Sequence, residues 1–301
     1  MTKAVLTHKP GSIYDDLPEE RYHFPATYLR QVEAAVGDFI VYYEPGRTEQ
    51  SDRLRTGLRS YVATARVTDV RPDPLKPEHY YAIIDPSTYL TFDRPVAFRA
   101  GTHYYEGALR KDDATTNLGA FGRAVRSIPD DEFEAILRAG FARELAPPEL
   151  EPPWSGLAEQ EVPFERPIIQ SLIERPLRDA AFARVVQEAY GATCSVTGLK
   201  IINGRGRAEV QAAHIRPVRD RGPDSVRNGL ALSGTVHWMF DRGLISIGDP
   251  PDYPILVSSR GLADNVVRLF NRDGRLRRPT EQRFWPAPQY LRFHRENVFK
   301  G

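Results

Sequence analysis

Cysteine is almost missing from this 301-residue chain. Cys194 is the only one, which excludes an internal disulfide and any zinc site built from several cysteines. Long apolar runs are missing too. No stretch approaches the ~20 residues needed to cross a bilayer, so no membrane partner is expected. The first twenty residues, MTKAVLTHKPGSIYDDLPEE, lack the apolar core of a secretory signal, and a cytoplasmic location is the expectation. Net charge is nearly absent at +1, but its distribution is uneven. Residues 1–160 hold 19 Lys and Arg against 25 Asp and Glu, and residues 161–301 hold 22 against 15. An acidic half joined to a basic half suggests that the second half meets a polyanion. With 41% hydrophobic and 27% charged residues, the chain can build ordinary packed cores.

Residues 1–30 are mixed in character and read as a loose arm. From Gly37 the pattern turns to strands: GDFIVYYEP, RSYVATARVTDVRP and HYYAIIDPSTYLTF. Turn signals at Pro45-Gly46, Pro72-Asp73-Pro74 and Asp85-Pro86 separate them, as in a small barrel or strongly bent sheet. PDDEFEAILRAGFARE predicts a helix with acids in its first turn and Phe133, Ile136, Leu137 and Phe141 on one side. The proline-dense stretch that follows predicts a linker. The expected domains are therefore 1–145 and 169–301, joined by a linker over 146–168.

The second half opens with a predicted helix from Arg175 to Tyr190, stopped by Gly191. CSVTGLKIINGRGRAEVQAAHI contains two strand-like runs around a Gly/Arg loop, the second ending in His214. NGLALSGTVHWMFDRG reads as a turn followed by a short helix. His214, Asn228 and His237 thus occur in order within a strand–loop–helix pattern, and Asp241 falls one turn after His237 on the same helix face. Hydrolysis of a phosphodiester needs such parts: a base that titrates near neutrality and ligands for a divalent cation. Singly each is weak, since a lone histidine is usually structural and Asn-Gly is usually a turn.

Four segments, CSVTG (194–198), AAHIRP (212–217), NGLAL (228–232) and HWMFDRGL (237–244), together resemble the HNH endonuclease family, in particular its bacterial restriction branch. The resemblance spans roughly residues 170–300 and implies a ββα-metal fold. It makes His214 the general base, Asn228 the brace of the intervening loop, His237 a metal ligand and Asp241 a second. It implies Mg²⁺ as the ion, with Mn²⁺ or similar ions as substitutes. Arg205, Arg207 and Arg216 are phosphate-contact candidates by charge and proximity. Two departures stand out. Ala213 occupies the place where many relatives carry a metal-binding Asp or His, and a single cysteine leaves no structural zinc to expect.

The strand pattern of the first half resembles the PUA-like superfamily, especially its EVE and ASCH-like members, over residues 20–140. That implies a small twisted barrel that binds nucleic acid, several members of which hold a modified, flipped-out base in an aromatic pocket. A flipped base must be stacked and read on its edge, and this half is rich in tyrosine. Tyr28, Tyr43 and Tyr104 are the pocket candidates, although ordinary barrel packing explains any single tyrosine as well. Of neighbours such as Tyr42 and Tyr43, one is expected in the core and the other exposed.

The combined expectation is an α+β protein. An amino-terminal PUA/EVE-like β-barrel reads double-stranded DNA carrying modified cytosine such as 5-methylcytosine, and a carboxy-terminal HNH domain cuts it. Such a pairing resembles a modification-dependent, type IV-like restriction endonuclease for phage defence, expected as a homodimer. The alternatives are an HNH enzyme with plain sequence or structure specificity, a DNA-binding protein whose HNH site is degenerate, and a toxin.

Overall fold

A computed structural model describes residues 3–9, 14–48, 55–56, 58–141, 175–204, 206–259 and 262–301. The expected linker 146–168 and the phosphate candidate Arg205 lie outside these residues. The chain divides into two compact units, Met1–Thr88 with Phe92–Ala181 and Tyr89–Thr91 with Phe182–Gly301.

The first unit is built on six strands: β1 (Lys3–Thr7), β2 (Arg21–Pro25), β3 (Phe39–Glu44), β4 (Ser60–Pro72), β5 (His79–Ala97) and β6 (Val125–Ile128). Their order across the sheet is β6-β1-β3-β4-β5-β2. β1 runs parallel to β3, while β1–β6, β3–β4 and β2–β5 pair antiparallel. Residues 1–30, read as a loose arm, therefore supply two strands of this sheet. The apolar run Ala4-Val5-Leu6 is fully buried between β3 and β6, and three residues are too few for a visible period.

The expected closed barrel is not formed. β6 and β2 stand at opposite ends of the strand order with no ladder between them, and the sheet curls into a half-barrel. A side chain spans that gap: the Tyr22 hydroxyl on β2 donates to the Thr7 carbonyl of β1 at 3.1 Å. The turn expected at Asp85-Pro86 is also absent, since β5 continues through both residues. There the Asp85 carboxylate accepts from the Ser87 N–H and hydroxyl, and the Thr88 hydroxyl donates to the Asp85 carbonyl. These bonds hold the Ser87 N–H and the Asp85 carbonyl locally, next to a proline that has no N–H to give.

Tyr42 and Tyr43 are both buried, contrary to the expectation of one inside and one outside. They do point to opposite faces, but central β3 is covered on both. Tyr42 packs near Tyr22 and His8, and Tyr43 against Tyr61 and Phe121, with the Arg126 guanidinium 5.2 Å from its ring centre. Arg126 is itself buried and forms a forked pair with Glu106 at 2.7 and 2.8 Å. The Tyr61 hydroxyl donates to the same carboxylate at 2.7 Å. A buried charge pair survives only when its remaining valences are met in this way. Helix α1 (Asp130–Gly140) begins after Pro129 with three acids in its first turn and buries Phe133, Ile136 and Leu137, the face read from the sequence.

The second unit contains helix α2 (Arg175–Ala189) from Phe182 onward, strands β7 (Gln211–His214) and β8 (Gly229–Leu232), helix α3 (Gly234–Asp241), strands β9 (Ile245–Ile247) and β10 (Ile255–Val257), and helix α4 (Pro288–Asn297). Gly191, with φ +59°, turns the chain just beyond α2. The core joins Phe182 and Val186 of α2 to Cys194, Val196, Ala213, Leu230, Phe240 and Tyr290.

Two local readings are corrected here. NGLAL is not merely a turn, because residues 229–232 form β8, antiparallel to β7 and buried throughout. A strand covered on both faces shows no alternation, so its sequence gives no period-two signal. The run from Cys194 is not a strand but a series of turns, with one isolated bridge at Ile202–Ala208. Its backbone groups are taken elsewhere: Ser195 N–H and hydroxyl both reach the Ala231 carbonyl, and the Asn271 amide donates to the Ser195 carbonyl.

Candidate active site

β7, β8 and α3 make a ββα unit, and the four residues singled out from the sequence lie on it or in its loop. His214 ends β7 opposite Gly229 of β8. That glycine is required, because a Cβ there would lie 2.4 Å from Val186 and 3.1 Å from Phe182. Its absence lets α2 come close, and the Phe182 ring stacks on the His214 imidazole at 3.8 Å between centroids and 12° between planes. His214 Nε2 stands 2.8 Å from Oδ1 of Asp224, a buried carboxylate in the loop between the strands.

Asn228 holds that loop in shape. Its side-chain oxygen accepts the Arg216 N–H at 2.8 Å, and its amide nitrogen donates to the Arg216 and Pro223 carbonyls at 2.9 and 3.0 Å. Its own carbonyl accepts from Ile215 N–H. Asn228 is completely buried, and these bonds satisfy backbone groups that no ladder reaches.

His237 lies on α3. Its Nδ1 is 2.8 Å from the Gln211 side-chain oxygen on β7, so a ring protonated there turns a bare Nε2 outward. That Nε2 is 3.5 Å from Oδ2 of Asp241, one turn along the same helix. The Gly234 N–H at the start of α3 donates to Glu209 at 2.9 Å. β7 thus carries His214 at one end and the partner of His237 at the other, about 10 Å apart along the strand.

The donor pair fits a hard divalent ion. One imidazole nitrogen and one carboxylate stand together on a solvent-facing helix, with Asp241 more than half exposed. Among the described residues no group of three or more His, Cys, Asp or Glu side chains is placed to hold a metal. Ala213, at the position where a third ligand was sought, is fully buried and apolar. Two protein donors with open positions suit an ion that keeps most of its water or takes phosphate oxygens.

Of the arginines, Arg216 lies beside the site. Its Nε donates to the Asp220 carbonyl at 2.7 Å, and its guanidinium sits 4.9 Å from the Phe293 ring centre. Arg207 lines an open cavity of about 440 Å³ with Gln187, Asn203, Glu209 and Gln211. In the first unit, Tyr28 is half-buried and its hydroxyl accepts the Ala124 N–H. Tyr43 is enclosed as described. Tyr104 is buried, its hydroxyl bonded to Thr116 at 2.9 Å and receiving Arg99 at 3.3 Å. Asp224, Gln211 and Phe182 were not found by reading the sequence, because no spacing rule links them to the histidines they hold.

A third histidine is structural. His294 of α4 is buried flat against Phe240 at 3.7 Å, bonded to Ser246 at 2.9 Å and to the Phe240 carbonyl at 3.2 Å. Burial holds its pKa down to about 4, opposed by the Phe240 carbonyl. The unfolded chain takes up this proton near pH 6.5, whereas the folded one refuses it until about pH 4. Stability is therefore lost as pH falls through that window, by about 2 kcal/mol at pH 5 from this group alone. Urea midpoints of the wild type and His294→Gln at pH 7 and pH 5 check this. The variant should lose distinctly less on acidification, and equal losses would remove His294 as the cause.

The HNH endonuclease family pattern matches residues 194–248, a span that contains His214, Asn228, His237 and Asp241. This segment is an HNH endonuclease module, of the metal-dependent DNA-cutting type. None of the curated proteins matches the chain. Among solved structures, a modification-dependent TagI restriction endonuclease is similar at 15% identity and a TM-score of 0.32, over 97% of this chain and 81% of that one. The type IV phosphorothioation-dependent restriction endonuclease ScoMcrA is similar at 11% identity and a TM-score of 0.20, over 98% of this chain and 54% of that one. Among the described residues, no helix is long and apolar enough to cross a membrane.

Proposed function

We propose that this protein cuts double-stranded DNA carrying modified cytosine, with recognition in the first unit and hydrolysis at the ββα site of the second. The observation that carries the nuclease reading is the arrangement along β7: an oriented imidazole at one end, and at the other a glutamine that aims a second imidazole beside a carboxylate. His214 takes a proton from water as the water oxygen attacks phosphorus. The bond from phosphorus to the leaving sugar oxygen then breaks, and that oxygen leaves with the electron pair and gains a proton from solvent. His237 and Asp241 would hold the divalent ion, Mg²⁺ with Mn²⁺ as substitute. Such an ion supplies charge stabilisation at the phosphate. Asn228 keeps the loop that presents Asp224 and Arg216 in place. Arg216, Arg207 and Arg205 contact phosphates, with Arg216 partly pre-positioned by Asp220 and Phe293.

Recognition of the base is assigned to the first unit because of its aromatic content; of the three stacking candidates, Tyr28 is half-buried, whereas Tyr43 and Tyr104 are buried and would need the packing around them to open. One active site per chain favours a homodimer for cutting both strands. Defence against phage DNA inside the bacterial cytoplasm would be the biological use.

Matched DNAs containing cytosine, 5-methylcytosine, 5-hydroxymethylcytosine or its glucosylated form, incubated with Mg²⁺ or Mn²⁺, test both halves of this reading. Cutting confined to modified DNAs is the expected result. Equal cutting of all four would keep the nuclease and remove the modified-base reader in favour of plain sequence or structure specificity.

A further inference from the structure

We propose that Asp224 is a positioning residue for hydrolysis: it holds His214 in the form protonated on Nε2, so that Nδ1 is the atom that accepts the proton from water. This rests on His214 being the base. A neutral imidazole carries its proton on one nitrogen only, and the partner of that nitrogen decides which one it is. A carboxylate can only accept, so the 2.8 Å contact between Asp224 and Nε2 places the proton on Nε2. Phe182, stacked flat on one face of the ring, opposes a flip that would exchange the two nitrogens. Asp224 is buried, so its contact with the imidazole is poorly screened by water. Once Nδ1 has taken a proton, the ring is a cation and the same carboxylate stabilises it.

The loop has other braces besides this contact. Asn228 already fixes the loop through its bonds to Arg216 and Pro223, and the Gly222 N–H closes the turn onto the Pro217 carbonyl. Asp224 directly follows Pro223 in that braced loop, and its carboxylate meets the base. A carboxylate that orients a catalytic imidazole and supports its charge is a known chemical device, and its loss is felt in turnover rather than in binding.

The test uses the full-length protein with ¹⁵N-labelled histidine. The His214 signals are assigned by their loss in His214→Ala, and the tautomer is read without metal or DNA. Cleavage rate and DNA affinity are measured in parallel for Asp224→Ala and Asp224→Asn. The wild type should show His214 protonated on Nε2, and Asp224→Ala should mix the two forms. Turnover should fall by about 10- to 100-fold in both variants, on the scale of lost outer-shell contacts, with DNA affinity held within about twofold. Asp224→Asn keeps an accepting oxygen and loses the charge, so it should retain the tautomer while losing rate.

A wild-type His214 protonated on Nδ1 would overturn the proposal without reference to any variant. A full rate in Asp224→Ala, with His214→Ala inactive, would overturn it and leave His214 as the base. A full rate in His214→Ala would overturn the nuclease assignment of His214 and this inference together.

Discussion

Replacing His214 with alanine is expected to slow DNA cleavage by about 10²- to 10⁴-fold, the usual contribution of a positioned general base. DNA binding should persist, because the phosphate contacts assigned to this unit come from arginines. The substitution also removes a ring stacked on Phe182, so some stability is lost with it. Thermal melting separates the two effects, since a variant that remains folded at the assay temperature and still binds DNA has lost chemistry alone. Initial rates of plasmid nicking with Mn²⁺, together with DNA binding by fluorescence anisotropy, provide the measurement. A rate within about threefold of wild type would exclude His214 as the base.

The second large effect is steric. A Cβ on Gly222 would lie 1.8 Å from the Arg216 carbonyl oxygen, 2.7 Å from its carbon and 2.9 Å from the Asn228 amide nitrogen. Two of these are backbone atoms, and that carbonyl is the one to which Asn228 donates. Gly222→Ala therefore forces the loop away from its brace, at a cost of about 2–4 kcal/mol, the range of overpacking plus a buried polar group left unpaired. Cleavage should fall with it, because Asp224 rides on the same loop. Gly204→Ala is the control: a Cβ there meets nothing within 4 Å, and its stability change should stay within about 1 kcal/mol. Urea denaturation compares the two, and similar midpoints would contradict the packing described around Arg216.

The sequence made some parts of this molecule legible and hid others for physical reasons. Asp241 could be placed beside His237 because helix geometry ties residues four apart. The helix over Asp130–Gly140 was visible from its acidic first turn and its single apolar face. β8 was hidden by its own burial, since a strand covered on both sides has no alternation, and by Asn228 just before its first residue, Gly229, which together read as a turn signal. β1 was too short to declare itself. The gap in the sheet depends on where edge strands come to rest, which no local pattern encodes. Gln211 and Asp224 meet their histidines 26 and 10 residues away through the folded chain, and polar side chains in a loop or at a strand end carry no period.

The short strand β7 reads Gln-Ala-Ala-His, with two alanines between its two polar ends. In most strands a slip of one residue is resisted because it would carry large apolar side chains to the wrong face. Here the inner pair is Ala212 and Ala213, identical in size, so a slip exchanges one methyl group for another and apolar packing within the strand barely registers it. The correct alignment is marked outside that pair, by the buried Val210 and Ile215 that flank the strand and by Gln211 reaching His237 and His214 reaching Asp224. The groups assigned to chemistry thus also serve as alignment pins, and a change at either end should loosen the frame that holds the other.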